Sequence, residues 1–385
     1  MLKIGRASAA PAFLVMDVIT AANARQASLP AGAPAVIRME VGQPATAAPR
    51  GAVDAAVAAL RAGLPMGYTE ALGLASLRER IARHNADWYG LHLPRERVAV
   101  TVGASGAFPL AFLAAFDPGD VVAMATPFYP PYVNILVALG LVPQFLPTDA
   151  ATRFQPTLAM LERLDPPPAG LIVASPSNPA GTMLDPGTLA AIAVWCDANG
   201  VRLISDEIYH GLHYDRPIAT AAAFSPSAIV VNSFSKYFSM TGWRIGWMAL
   251  PDDLVRPVER LAQNMVISAP HVAQVAAAAA FDCHAELQGN VARYHRSRDL
   301  LLAAMPGAGF IRISPAEGAF YLYADVGDRT GDSEAFCARM LREAGIAAAP
   351  GVDFDRTRGG GFVRFSYCGA EADMVEAARR LTGWR

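Results

Sequence analysis

Lysine is almost missing from this chain. Of its 32 basic residues only Lys3 and Lys236 are lysines, so nearly every cation is a guanidinium, and chemistry that needs a primary side-chain amine has two candidates. Cysteine is sparse as well. Cys196, Cys283, Cys337 and Cys368 lie far apart with no C-x-x-C pair, which argues against a cysteine zinc site or a disulfide framework and suits free thiols in a reducing cytoplasm. Excess charge of one sign is absent: a formal net charge of -2 leaves no basic field for nucleic-acid phosphates and points to a small partner. No apolar run reaches the roughly 18 residues of a membrane span. Near the start, Lys3 and Arg6 precede AAPAFLVM and then Ala22-Asn23-Ala24, a leader-like pattern, but Pro11 interrupts the run and Asp17 ends it, so export is not expected.

What is present is the composition of a compact enzyme, 53% hydrophobic and 17% charged over 385 residues, long enough for one large core or two unequal ones. Phe13, Met16 and Ile19 are spaced for one face of a helix. A strand over Val36 to Val41 runs into Gly42-Gln43-Pro44, where bare backbone approaches something closely. A helix near Val53 to Ala62 and the segment Met66-Gly67-Tyr68 precede a helix whose apolar face holds Leu74, Leu77 and Ile81. Val98 to Val102 reads as a strand, Gly103-Ala104-Ser105-Gly106 as a small-residue turn, and Phe108 to Phe116 as a buried helix. Such a turn leaves backbone N–H groups and the positive end of a helix dipole free for a phosphate. Strand Val121 to Ala125 leads to Pro127-Phe128-Tyr129-Pro130-Pro131-Tyr132, a rigid aromatic turn suited to stacking on a flat ligand.

Strand Leu171 to Ala174 delivers Ser175-Pro176-Ser177-Asn178-Pro179 and then Gly181-Thr182; a helix over Pro186 to Ala198 and a strand over Val201 to Ser205 end in Asp206-Glu207-Ile208-Tyr209. Strands alternating with helices imply a parallel sheet, whose ligands sit at the carboxyl ends of the strands. Ile229 to Val231 and Ile245 to Ala249 are further strands. Helical patterning from Asp252 to about His284 is broken at Pro270. Beyond it, the helix Leu287 to Ala304, strands near Phe310 to Ile313 and Ala319 to Tyr323, a helix near Glu334 to Glu343, a strand over Phe362 to Tyr367 and a helix from Glu371 lack that alternation and suggest a smaller α+β unit. Arg358-Gly359-Gly360-Gly361 reads as a short flexible loop.

The stretch Ser233 to Gly246, SFSKYFSMTGWRIG, holds Lys236 between small hydroxyl residues just after a strand. A desolvated amine beside another cation loses basicity and becomes a nucleophile for a carbonyl, and Arg244, eight residues on, is placed to be that cation. This spacing resembles the lysine motif of the class I/II aminotransferases, fold type I enzymes that use pyridoxal phosphate, in the aspartate aminotransferase-like subgroup. The patterns around Tyr68, Gly73, Leu77 and Arg78, around Asn178, Gly181 and Thr182, and around Arg364 in Phe362-Val363-Arg364-Phe365-Ser366 match as well. The resemblance covers about Gly42 to Arg364; the first forty residues match poorly.

The resemblance implies an α/β fold: a large domain with a mostly parallel sheet flanked by helices over residues 45–275, a smaller α+β domain over 276–385, and residues 1–44 joining the small domain. It implies pyridoxal 5'-phosphate as cofactor, with Lys236 as Schiff-base lysine and proton shuttle and Asp206 beside the pyridine nitrogen. Asn178 and Tyr209 would sit at the phenolic oxygen and Tyr129 over the ring. Arg244, Ser233, Ser105, the Ala104 amide and Tyr68 from a second subunit of a homodimer would hold the phosphate. Gly42, Asn178 and Arg364 would hold the substrate carboxylate, Arg364 as a bidentate guanidinium. The implied reaction is ping-pong transfer of an amino group between an L-amino acid and a 2-keto acid. A carbon–sulfur β-lyase is the alternative enzyme; a more remote one is an aminotransferase-like effector domain of a transcription regulator, which a basic recognition helix ahead of Gly42 would mark and which the sequence lacks. His210 and His213 are expected to be structural, with no metal. Aspartate, aromatic and aliphatic donors remain open.

Overall fold

The computed structural model describes residues 2–384. In chain order its strands are β1 (Ile37–Arg38), β2 (Val98–Thr101), β3 (Val121–Thr126), β4 (Val142–Pro147), β5 (Gly170–Ala174), β6 (Arg202–Asp206), β7 (Ile229–Ser233), β8 (Gly246–Ala249), β9 (Arg312–Ile313), β10 (Tyr321–Asp325), β11 (Ile346–Ala347), β12 (Ala349–Pro350) and β13 (Phe362–Ser366). Seven of them form a sheet in the order β2-β8-β7-β6-β5-β3-β4. Pairing from β4 through β7 is parallel, and β8 runs antiparallel to both its neighbours. β8 breaks the parallel rhythm because the connection over 234–245, which carries Lys236, forms no crossover helix and holds only a 3-10 turn, Thr241–Trp243, so the chain returns antiparallel beside β7.

A parallel sheet covered on both faces buries alternate residues in opposite directions. Val100, Ala123, Leu171, Val173, Leu203, Val230 and Trp247 enter one core cluster. Ala99, Val122, Met124, Ile172, Ile204, Ile229, Val231 and Met248 enter the other. The helix Pro186–Ala198 starts under an Asp185 side chain that accepts from the Thr188 N–H, and Pro186 takes the first helical position, where a missing N–H costs nothing. The helix Asp252–Met265 stops at Val266, and Pro270 then takes the N-cap position of the next, His271–Ala280. Residues 275 and 276 lie inside that second helix, whose alanines pack with Ala52 and Ala56 in one core.

The C-terminal strands make a second sheet, β12-β13-β10-β9, which is antiparallel throughout. The strand expected over 36–41 is only two residues long, and it pairs in parallel with β11, Ile37 against Ile346. The N-terminal segment is thereby sewn to the C-terminal region. The expected flexible loop at 358–361 is instead a packed turn: a Cβ added to Gly359 would lie 2.2 Å from the Gly351 carbonyl oxygen. Arg358 reaches from that turn to Thr148 O (2.9 Å) and Thr126 Oγ1 (2.7 Å), which ties the turn to the ends of β3 and β4. β4 and the helix Pro131–Ala138 have no counterpart in the sequence reading. The turn and proline signals of 127–132 masked the helix, and β4 is largely solvent-facing, so its apolar pattern is weak.

Candidate active site

The carboxyl ends of β3, β5, β6 and β7 surround a cavity of about 300 Å³. Its lining includes Gly42, Ala104, Ser105, Tyr129, Asn178, Asp206, Tyr209, Lys236, Arg244 and Arg364, ten of the twelve residues singled out above. Lys236 follows β7 by three residues and turns its amine to the Gly42 carbonyl, Nζ to O 2.7 Å. Burial pushes this amine down from 10.5 to about 8. Of the charges around it, Cys368 and Asp206 oppose the shift while Arg364 and Arg244 reinforce it. Burial also raises the Cys368 thiol to about 11, so near neutrality it is uncharged and gives the amine little compensation. Desolvation is the larger cause of the lowered amine, as the sequence suggests, and of the two neighbouring cations Arg364 weighs more than the expected Arg244.

Asp206 ends β6, fully enclosed. Burial raises its carboxyl to about 6, against the opposing pull of the Tyr132 hydroxyl, the Ile208 N–H and Lys236. The Tyr132 O–H donates to Asp206 Oδ2 and the Ile208 N–H to Oδ1 (3.1 Å). Two donors hold this buried carboxyl group in place. Tyr209 Oη lies 2.8 Å from Tyr321 Oη, and burial keeps the Tyr209 phenol well above its ordinary range.

Arg364, on β13, is almost completely buried. Its guanidinium carbon lies over the Tyr321 ring, 4.5 Å from the centroid, and over the Phe354 ring, 4.7 Å away. One Nη donates to Asn178 Oδ1 at 2.9 Å, the other to the Glu40 carbonyl, and Nε has no partner among the described residues. With its acceptor engaged by Arg364, Asn178 keeps its amide N–H groups for a ligand oxygen.

The helix expected from Phe108 begins earlier, at Gly103, and runs to Ala115 with no side chain capping its N-terminus. Ala104 and Ser105 thus belong to its first turn, where backbone N–H groups lack helical acceptors. Arg244 closes this end, with Nη1 on Thr241 O (2.8 Å) and Nη2 3.4 Å from Ser105 Oγ. Its backbone is left-handed, φ 52°, a conformation that costs a side-chain-bearing residue about 1 to 3 kcal/mol and persists where the surroundings impose it. Only glycine fits at two points. A Cβ on Gly103 (φ +65°) would come 2.7 Å from Arg244 Nη2, and one on Gly42 would meet Tyr321 Oη at 1.7 Å. These glycines, the uncapped amides and two guanidiniums form a cradle that fits an anionic, flat ligand such as a pyridine phosphate.

Ser233 and Tyr68 are not brought to the cavity. Ser233 is buried behind it, its hydroxyl on Ser235 Oγ (3.0 Å) and the Ile245 carbonyl (3.1 Å). Ser235, the second serine of the same S-x-S-K motif, lines the cavity, with the Ser233 hydroxyl directly behind it. Tyr68 is 82% exposed and does not line this chain's own cavity. Among the lining residues that sequence did not point to are Tyr132 in the Pro-aromatic cluster, Tyr321 on β10, and Phe13, Met16 and Ile19 of the helix Leu14–Ala27, whose apolar spacing was visible but whose neighbours were not. His210 is buried outside the cavity lining, sharing hydrogen bonds with Tyr89 Oη (2.7 Å) and the Ser175 carbonyl (3.0 Å).

The family model described as "Aminotransferase class I and II" matches residues 34–381. A valine–pyruvate aminotransferase of Mycobacterium tuberculosis is 49% identical over 378 residues, covering 97% of this chain and 96% of the relative. An aminotransferase crystal structure from the same organism superposes with a TM-score of 0.97 at 48% identity, covering 100% of this chain and 99% of the other. The aspartate aminotransferase of Thermus thermophilus with maleate gives a TM-score of 0.92 at 28% identity, with full coverage of both chains. These likenesses favour amino-group transfer over β-lyase chemistry and over a regulator. The chain belongs to the class I and II aminotransferases and is an enzyme of that type.

Proposed function

We propose that this aminotransferase works with pyridoxal 5'-phosphate and transfers the amino group of an amino acid with an apolar side chain to a small 2-keto acid, in two half-reactions through one cavity. The observation that carries the reading is one buried amine, lowered to about 8, facing a buried carboxylate and two guanidiniums. When bound, the cofactor supplies an aldehyde and an electron sink. Lys236 would anchor it and, once displaced, Nζ would take the α-proton of the donor and return it on the other side of the transfer. Asp206, fixed by Tyr132 and Ile208, would keep the ring nitrogen protonated. Asn178 and Tyr209 would hold the phenolic oxygen, and Tyr129 would cover the ring. The amides of Ala104 and Ser105, the hydroxyls of Ser105 and Ser235, and Arg244 would bind the phosphate. Arg364, with its free Nε–H, Gly42 and Asn178 would orient the α-carboxylate.

The cations lining the cavity are Lys236, Arg244 and Arg364. If these serve amine, phosphate and α-carboxylate, none is left for a distal carboxylate, and Phe13, Met16, Ile19, Phe108 and Ile135 offer an apolar wall instead. The name of the Mycobacterium tuberculosis relative supports valine and pyruvate as the pair to test first. We place the large domain from residue 45 to the end of the helix His271–Ala280, past the boundary read at 275/276, with residues 1–44 joined to the C-terminal domain. Pairing of β1 with β11 supports that union. Exposed Val53, Val57, Leu60, Leu64 and Tyr68 support a homodimer in which the partner copy's tyrosine completes the phosphate site, in a reducing cytoplasm. A donor panel of valine, leucine, alanine, phenylalanine and aspartate, with pyruvate and 2-oxoglutarate as acceptors, tests the reading. Aspartate turning over faster than valine would sink the donor class, and borohydride reduction of the holoenzyme without an adduct at Lys236 would sink the cofactor assignment.

A further inference from the structure

The apolar wall has an anchor far away in sequence. The helix Leu14–Ala27 begins after Phe13, whose side chain cannot cap it. Its first two amides are taken instead by one carboxylate, Leu14 N–H to Asp353 Oδ1 at 3.0 Å and Val15 N–H to Asp353 Oδ2 at 3.1 Å. Asp353 is buried and holds this grip at the cost of desolvation, which raises its carboxyl while the two amides pull it back down. The turn that bears it is stiff. Gly351 and Gly359 pack backbone to backbone, since a Cβ on Gly351 would sit 2.4 Å from the Gly359 carbonyl oxygen. The next residue, Phe354, accepts the Phe128 N–H through its carbonyl (3.0 Å) and lays its ring against Arg364. Phe128 in turn precedes Tyr129, which Phe13 meets edge-on with centroids 5.9 Å apart.

We propose that Asp353 is a positioning residue for substrate selectivity: by gripping the start of the helix Leu14–Ala27 it holds Phe13, Met16 and Ile19 at the distance where an apolar substrate side chain fills the cavity. This rests on the apolar-donor reading above. A helix N-terminus with two unserved amides gains both hydrogen bonds and a favourable charge–dipole contact from a carboxylate. Removing the carboxylate loosens the wall and leaves the α-carboxylate grip, common to all amino acids, to Arg364. Long apolar donors therefore lose more than alanine, whose methyl group is too short to depend on the wall.

The test compares Asp353→Ala and Asp353→Asn holoenzymes with wild type, using valine, leucine and alanine as donors, alongside hydrogen–deuterium exchange of residues 14–20. Loss of a cap of this kind corresponds to roughly a fivefold effect. The expected result is kcat/KM for valine and leucine falling about that much relative to alanine in Asp353→Ala, less in Asp353→Asn, which keeps one acceptor, together with faster exchange at 14–20. Adding Met16→Ala to Asp353→Ala should then change the valine-to-alanine ratio little, because the two act through one surface. Equal losses for valine and alanine, or a helix start protected as in wild type, would overturn the proposal. If wild type does not use apolar donors, the donor reading fails on its own, and the anchor stands or falls on the exchange of residues 14–20.

Discussion

The scarcity of lysine makes the central electrostatic claim directly measurable. With Lys236 lowered to about 8 by burial, about one amine in ten is neutral at pH 7, against roughly one in three thousand for an ordinary lysine at 10.5. That difference of about 300-fold in nucleophile concentration is trimmed by the lower intrinsic reactivity of a weaker base, but tens-fold should survive. The protein freed of cofactor is treated with a small aldehyde and cyanoborohydride from pH 6 to 11, and the peptides carrying Lys3 and Lys236 are quantified by mass spectrometry. The exposed Lys3 is the internal comparison. Lys236 should be modified faster at pH 7, and its rate should rise with pH to a plateau with a midpoint near 8. In Arg364→Met the midpoint should move up, since a cation that disfavours the ammonium form is gone. A Lys236 midpoint above 10, or an unchanged midpoint in Arg364→Met, would refute the argument that desolvation and the neighbouring guanidinium tune this amine.

Arg364→Lys keeps the charge but loses the planar fork held between two rings, so kcat/KM should fall about 100-fold or more for every donor, read from initial rates, with little discrimination between valine and alanine. Asp206→Asn separates function from stability. A carboxyl raised to about 6 in the fold binds its proton more tightly than in the unfolded chain. Its contribution is therefore favourable below pH 4 and is lost as pH rises through 6. The cofactor-free Asp206→Asn protein should melt higher than wild type at pH 8, by the equivalent of about 1 to 3 kcal/mol, and the gap should close by pH 4 while transamination is largely abolished. Thermal melts at the two pH values check the sign.

Motif residues were legible in the sequence because their chemistry demands particular residue types at fixed spacing. Lys236, Asp206, Asn178 and Tyr209 reach one cavity because each ends or closely follows a strand of the parallel run, and strands in register deliver their carboxyl ends to one edge, whereas Arg244 enters from the turn before β8 and Arg364 from within β13 of the second sheet. Element boundaries mostly followed from proline and glycine punctuation, as at Pro186 and Pro270. β4 and the antiparallel run of β8 did not, since strand direction depends on the connection and on pairing partners.

The sequence alone determined that only two lysines exist, that one of them follows a strand of a parallel α/β pattern, and which local motifs flank it, since all of these are set by residue type and short-range periodicity. Tertiary structure decided the rest. Which serine of the S-x-S-K pair lines the cavity depends on how the chain turns after β7. That Tyr132 serves Asp206 depends on packing across 74 positions. The apolar stripe at Phe13, Met16 and Ile19 was plain as a periodicity, but its use as a cavity wall depends on a carboxylate 339 residues away. Contacts of that range leave no trace in local pattern, because they form between surfaces that only the folded chain brings together.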